Sequence, residues 1–262
     1  MRKISLLLLF LCTLVSHIKG QHLNDPTLNE DFARHVKSVE EFMNRFNGTE
    51  AYPGLDPKSS DFRQQNLYSL FDMEMSEQMK SKAMGFVSAV LDNSIILSFC
   101  DTTWYAVAEC EVKYKGKVHQ MTLVLQPQCE GQRRWWSFCG AKGILGGLLP
   151  KSSASTILPM EHETEFMELA SIFNNDLPNI MGYCSSNHQP DQLTAFLALA
   201  QAGTIKFNHV TSLKLIFLQV PEYAFTVETV GRRGRNAGWL VTILSELPDE
   251  AKPIYINQLI GK

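Results

Sequence analysis

From Trp104 to Ala141 the chain reads WYAVAECEVKYKGKVHQMTLVLQPQCEGQRRWWSFCGA. Apolar and polar residues alternate along it, the period of strands whose side chains point in turn to two faces. Between Tyr114 and Lys117 lies a two-residue turn, Lys115-Gly116, and a turn of that length sets the pairing across a hairpin. Val112 then faces His119, Cys110 faces Met121, Ala108 faces Leu123, and Ala106 faces Leu125. All of these fall on one face, while Glu109, Glu111, Lys113, Gln120 and Thr122 fall on the other. A slip of one residue would mix the two sets, so pattern and turn specify one register. A second return through Glu130-Gly131 brings Trp136 and Phe138 near Leu125 and Leu123. The expectation is three antiparallel strands with one apolar face and one polar face.

Upstream the apolar period changes to that of helices. Asn29 can cap a helix to about Phe46, with Phe32, Val36, Val39, Phe42, Met43 and Phe46 as its stripe and Asn47-Gly48 as its stop. A Pro/Gly loop over 51–60 and a short helix over 62–71 follow. Ser76 then caps a longer helix to about Leu91, whose face is Met79, Ala83, Phe86, Val87 and Val90, and residues 95–99 open the sheet. Beyond the glycines of 140–150 the pattern repeats in outline. A helix is expected over 161–174, buried through Phe166, Leu169, Ala170 and Phe173. Asp191 caps another, with Leu193, Phe196, Leu197 and Ala200 on its apolar side and Gly203 at its end. Strands are expected over 212–220, 223–230 and 239–245, then an extended tail anchored by Ile254, Ile256 and Leu259.

This divides the chain into a first α+β domain over 21–145, a linker over 146–160, and a second α+β lobe over 161–262. FVSAVLDNSIILSFCDTTWYAVAECEV in the first half lines up with FLALAQAGTIKFNHVTSLKLIFLQV in the second, and RRWWSFCG with NAGWLVTI. A degenerate tandem duplication is one reading. The other is that any two helix-then-meander units share this grammar.

Residues 1–20 stand apart. Arg2 and Lys3 precede an apolar run over 4–15, and small residues follow at Ser16 and Gly20. This is the form of a secretory signal peptide, too short for a membrane span, with cleavage expected after Gly20. Its loss removes Arg2, Lys3 and Lys19 and takes the formal charge from −3 to −6. An acidic exported chain argues against a nucleic-acid partner, and no later stretch is long and apolar enough to be a transmembrane segment. Periplasm, cell envelope and extracellular space all remain open. Cys100, Cys110, Cys129, Cys139 and Cys184 stay in the mature chain. Their odd number leaves at least one thiol, and their spacings do not suggest zinc. Most read as small buried hydrophobes. Cys110 and Cys139 flank the central strand from opposite sides, too far apart to bond.

A helix leading into SIILSFCDTTWYAVAECEVKYKGK and a strand of RRWWSFCGAKG resemble the nuclear transport factor two-like fold, also called the cystatin-like cone. The likeness spans roughly 28–144. It is greatest to small exported bacterial members of unassigned function. It implies helices packed on a curved antiparallel sheet around a conical pocket. Cones of this family commonly pair sheet to sheet, which implies a dimer or, with two lobes, an internal pseudo-dimer.

Enzymes of that fold place Asp or His inside the cone for proton transfer. On the apolar face assigned here the titratable side chains are His119 and Cys110, so no catalytic pair can be carried over. The expectation is a non-catalytic protein without metal or cofactor, binding a small apolar or glycan ligand, or a protein partner, through the cone or a sheet face. Trp104, His119, Trp136 and Phe138 are the candidate ligand contacts. Competing readings are an isomerase, dehydratase or hydrolase using His119 as base, and a structural envelope component. Arg232, Arg233 and Arg235, in a glycine-rich loop, are candidate anion ligands; a solvated hairpin loop is the plainer reading. Glu161-His162-Glu163 begins like a zinc-protease helix, but Phe166 occupies the place of the second histidine.

Overall fold

A computed structural model describes residues 34–72, 74, 77–144, 191–232 and 236–261. Helices α1 (Val39–Asn47), α2 (Phe62–Ser69) and α3 (Glu77–Asp92) precede strands β1 (Trp104–Tyr114), β2 (Lys117–Glu130) and β3 (Arg133–Gly143). Helix α4 (Gln192–Gln201) leads into β4 (Ile205–Phe217), β5 (Tyr223–Val230) and β6 (Gly238–Glu246), and the chain closes with helix α5 (Lys252–Ile260). The six strands form one antiparallel sheet in the order β3-β2-β1-β4-β5-β6. The architecture is α+β, with helices packed on that sheet.

The first hairpin has the register its sequence requires, from Ala106 opposite Leu125 to Val112 opposite His119. Lys115 and Gly116 both have positive φ, as a two-residue turn matched to strand twist demands. The second hairpin differs from expectation. Its turn falls one residue later, at Gly131-Gln132, so Phe138 faces Leu125 and Trp136 faces Pro127. An irregularity after Val124 then sets Ala141, rather than Phe138, opposite Leu123.

Helix α1 starts at Ser38, whose side chain accepts from the Glu41 N–H, while Glu41 in turn accepts from the Lys37 N–H at 2.8 Å. The helix expected to run to Phe46 is thus interrupted between helical Arg34 and this reciprocal cap, and its expected start at Asn29 lies outside the described residues. Val36 cannot be helical, because it bridges Gly238 at the edge of β6: the Trp239 N–H donates to its carbonyl at 2.9 Å. A Cβ on Gly238 would lie 2.1 Å from that carbonyl oxygen, so only glycine fits there. Residues 95–99, expected as a strand, are irregular. Their backbone groups are taken by the end of α3, through Ile95 N–H to Val90 O, and by a side chain of α1.

Strand β4 begins at Ile205, earlier than expected. Two bulges against β1 leave Thr211 and Asn208 without a direct partner, so Phe207, Val210 and Leu213 all face the same way as Val112, Cys110 and Ala108. Spacings of three hide the alternation from a sequence reader. The tail expected to be extended is helical instead, with Pro253 in its first turn and Gly261 ending it at φ 81°. Tyr255, Ile256, Leu259 and Ile260 of α5 cover Tyr105, Val107, Val124 and Ile216, while Ile254 is exposed and anchors nothing. The face expected to be polar is therefore polar only around Glu109, Glu111 and Lys113.

Against the opposite face, α1, α2 and α3 bury Phe42, Phe46, Phe71 and Phe86 with Trp104, Phe217 and Phe225. At the other end, Phe196 of α4 packs on Ala108, Cys110, Val112, Met121 and Leu123. Helices of each half thus lie on strands of the other. The leader over 1–20, the linker over 146–160 and the helix over 161–174 lie outside the described residues.

Candidate functional site

Along α1, Val39, Glu40, Met43, Asn44 and Asn47 share one face, as i, i+4 and i+8 neighbours do. With Leu97, Ser98 and Phe99 of the loop after α3, and Arg134 of β3, they line a cleft of about 360 Å³. This is within the range of small-ligand sites.

The loop wall of this cleft is fastened from several directions. The Asn47 side chain donates to the Leu97 carbonyl and accepts from the Leu97 N–H. The Gln219 side chain does the same for Ser98, donating to its carbonyl at 3.2 Å and accepting from its N–H at 3.0 Å. The Trp104 indole N–H donates to the Phe99 carbonyl at 3.1 Å. A disulfide joins Cys100 to Cys129, the residue opposite Arg134 in the β2–β3 hairpin. Phe99 stands edge-on to Trp104 and Trp136, with centroids 5.3 and 5.7 Å away. The Arg134 guanidinium lies over the Phe99 ring, 5.7 Å from its centroid.

The result is an apolar floor of Val39, Met43, Leu97 and Phe99 with three polar side chains around it. Glu40 can only accept, Arg134 can only donate, and the Asn44 amide can do both. Among the described residues no ion pair engages Glu40 or Arg134. A guanidinium stacked on a ring keeps its in-plane N–H groups available, so Arg134 is oriented without being consumed.

The residues singled out from sequence are dispersed. Trp104 is fully buried and stacked on Phe217 at 4.9 Å. Half-buried Trp136 packs on Trp104 at 4.8 Å. Phe138 is 48% exposed opposite Leu125. His119 faces Val112 at the far end of the hairpin, its ring 6.3 Å from that of Tyr114. Eight residues of strand separate that end from Trp104, about 26 Å. The proposed cone contacts therefore make no single site. Arg232 pairs with Asp72 and with Glu74, the latter at 3.0 Å, so its charge is already matched. Arg233 and Arg235 lie outside the described residues, as do Glu161, His162 and Glu163.

Sequence reasoning missed Glu40, Asn44 and Arg134. The available signal was Arg133-Arg134 beside Trp135-Trp136, basic residues next to large aromatics. It also read most of the cysteines as small buried hydrophobes and left their pairing open, because nothing local shows the loop at 95–101 turning back onto the hairpin to join Cys100 to Cys129. Cys110 and Cys139 do lie on opposite faces, in separate clusters. Burial pushes the Cys110 thiol pKa up, and the neighbouring Glu109 adds to this.

No protein family, no curated protein and no solved structure matches this chain. Among the described residues no helix is long and apolar enough to cross a membrane.

Proposed function

We propose that this is an exported, non-catalytic protein that binds a small ligand in the cleft between α1, residues 97–99 and Arg134. The observation that carries the reading is the pairing of an apolar floor with three polar side chains, Glu40, Asn44 and Arg134, whose hydrogen-bonding groups engage no partner among the described residues. The interior where a cone pocket was expected is filled instead by Trp104, Phe217 and Phe225. Export is supported by the leader-like first twenty residues and by the Cys100–Cys129 disulfide, a bond that persists in oxidising compartments. A cone-like fold of the nuclear transport factor two type is supported only by the order of three helices before an antiparallel meander. The strand order, the same from either edge, favours an internal pseudo-dimer. His119, the candidate base of the enzyme reading, is remote from the cleft.

The test is native mass spectrometry of protein isolated gently from its host, beside an Asn44→Trp variant that fills the cleft. A released small molecule present in the wild type and absent from the variant supports the proposal. A molecule carried equally by both, or none from either, overturns it.

A second reading has its own observation. Phe207, Val210 and Leu213 are 50%, 49% and 41% exposed, and β5 pairs with β4 only from Lys214 onwards. An apolar stripe beside an open strand edge is the form of a protein interface. A stable dimer by light scattering, lost in Val210→Asp, would favour it.

A further inference from the structure

We infer that the ligand of the cleft is an acidic sugar, a pyranose bearing a carboxylate; this rests on the binding reading above and names its chemistry. Arg134 is the anchor. Its guanidinium is held over Phe99, it meets no carboxylate among the described residues, and its fork matches a carboxylate with two parallel N–H···O bonds. A purely apolar ligand would leave that fork, and the Glu40 carboxylate, facing a surface that can bond to neither. A simple anion would satisfy Arg134 but bring no donor for the Glu40 carboxylate or the Asn44 carbonyl. Hydroxyl groups resolve the conflict, since each both donates and accepts: one can donate to Glu40 and another can bond either end of the Asn44 amide. The C–H face of a pyranose then lies on Val39 and Phe99, the half-buried members of the floor. The cleft, at about 360 Å³, is of the size that takes one or two sugar rings.

Arg134 and Glu40 are both exposed, so their replacement leaves the core intact. Isothermal titration of the host-purified protein, freed of any bound molecule by dialysis, would use three probes: glucuronate, glucose and benzoate. The expected result is saturable binding of glucuronate, weakened about ten-fold or more in Arg134→Gln and less in Arg134→Lys, with an unchanged melting temperature as the control. Equal binding of glucose and glucuronate would overturn the carboxylate assignment. Binding of benzoate without glucuronate would overturn the sugar while leaving the cleft a binding site. Binding of none of the three, together with a co-purified molecule sensitive to Asn44→Trp, would overturn the ligand class alone. No binding and no co-purified molecule would overturn the site as well.

Discussion

The Asn47 carboxamide donates to the Leu97 carbonyl at 2.8 Å and accepts from the Leu97 N–H at 2.7 Å, so one side chain at the end of α1 satisfies both backbone groups of a residue fifty positions on. The cleft wall at 97–99 depends on it. Asn47→Ala removes two hydrogen bonds and leaves two backbone groups without their partner. The expected loss is about 2–3 kcal/mol, measured by urea unfolding, with faster amide exchange at Leu97. Unchanged exchange there would mean that the Gln219 pair and the disulfide hold the loop alone.

The Cys100–Cys129 disulfide closes a loop of 29 residues. Chain-entropy arguments for a loop of that length give about 3–4 kcal/mol. The double variant Cys100→Ser/Cys129→Ser should lose roughly that much in denaturant unfolding, and the wild type should lose the same on reduction. A reducing agent that lowered the variant's stability equally would point to a different bond.

Phe225 belongs to the second half of the chain, yet its ring stacks on Phe217 at 4.9 Å and meets Phe86 at 5.3 Å and Phe46 at 6.1 Å. Phe225→Ala should cost about 3–5 kcal/mol and should accelerate amide exchange in α1 and α3 as much as in β5. Protection of α1 left intact would show that the first half keeps a core of its own.

Gly140 lies on β3 where α5 crosses. A Cβ added there would come within 2.6 Å of the Ile260 carbonyl oxygen and 2.7 Å of its Cα. Gly140→Val should therefore lift the end of α5 from the sheet and expose Tyr255 and Ile256, read as raised exchange over 252–260 with β1 and β2 unaffected. A variant with normal exchange in α5 would contradict this packing.

Asp249 is held below the ordinary aspartate pKa, first by the Lys252 side chain bonding its carboxylate and then by a backbone bond with Glu222. A depressed pKa means that the charged form is favoured in the folded state. Its contribution is complete above the ordinary aspartate value and is lost as pH falls through the lowered one. Because the group is exposed, the effect is local to the start of α5. A carboxyl titration by NMR should give a low midpoint that moves up towards the ordinary range in Lys252→Ala.

The first hairpin was legible in full because everything that sets it is local: two-residue periodicity, a turn of fixed length, and a glycine placed for positive φ. The helix ends at Gly48 and after Asp92 were legible for the same reason. The break before α1 was not legible because Val36 continues the apolar stripe, while the bond that keeps Val36 extended comes from Trp239, some two hundred residues away. Within β4, two bulges convert an alternating pattern into spacings of three, and β1 alone shows where they fall.

Of the candidate site, only the aromatic neighbourhood was readable. Trp104 and Trp136 do meet, but as core under the cleft, since their size favours burial once a helix covers them. Arg134, Glu40 and Asn44 carry no pattern that separates them from other polar surface residues. They line one cleft only because Asn47, Gln219 and Cys129 draw the 97–99 loop against α1 and β3.

By itself the sequence determined the α+β class, the β1–β2 register, and the leader-like composition of the first twenty residues. These follow from periodicity, turn geometry and composition, which act over a few residues at a time. Tertiary structure alone decided that the strands of both halves form one sheet, that α5 covers the supposedly polar face, which two cysteines bond, and where a cleft remains. Each of those depends on which surfaces meet over distances of tens to hundreds of residues, a property of packing that no local pattern encodes.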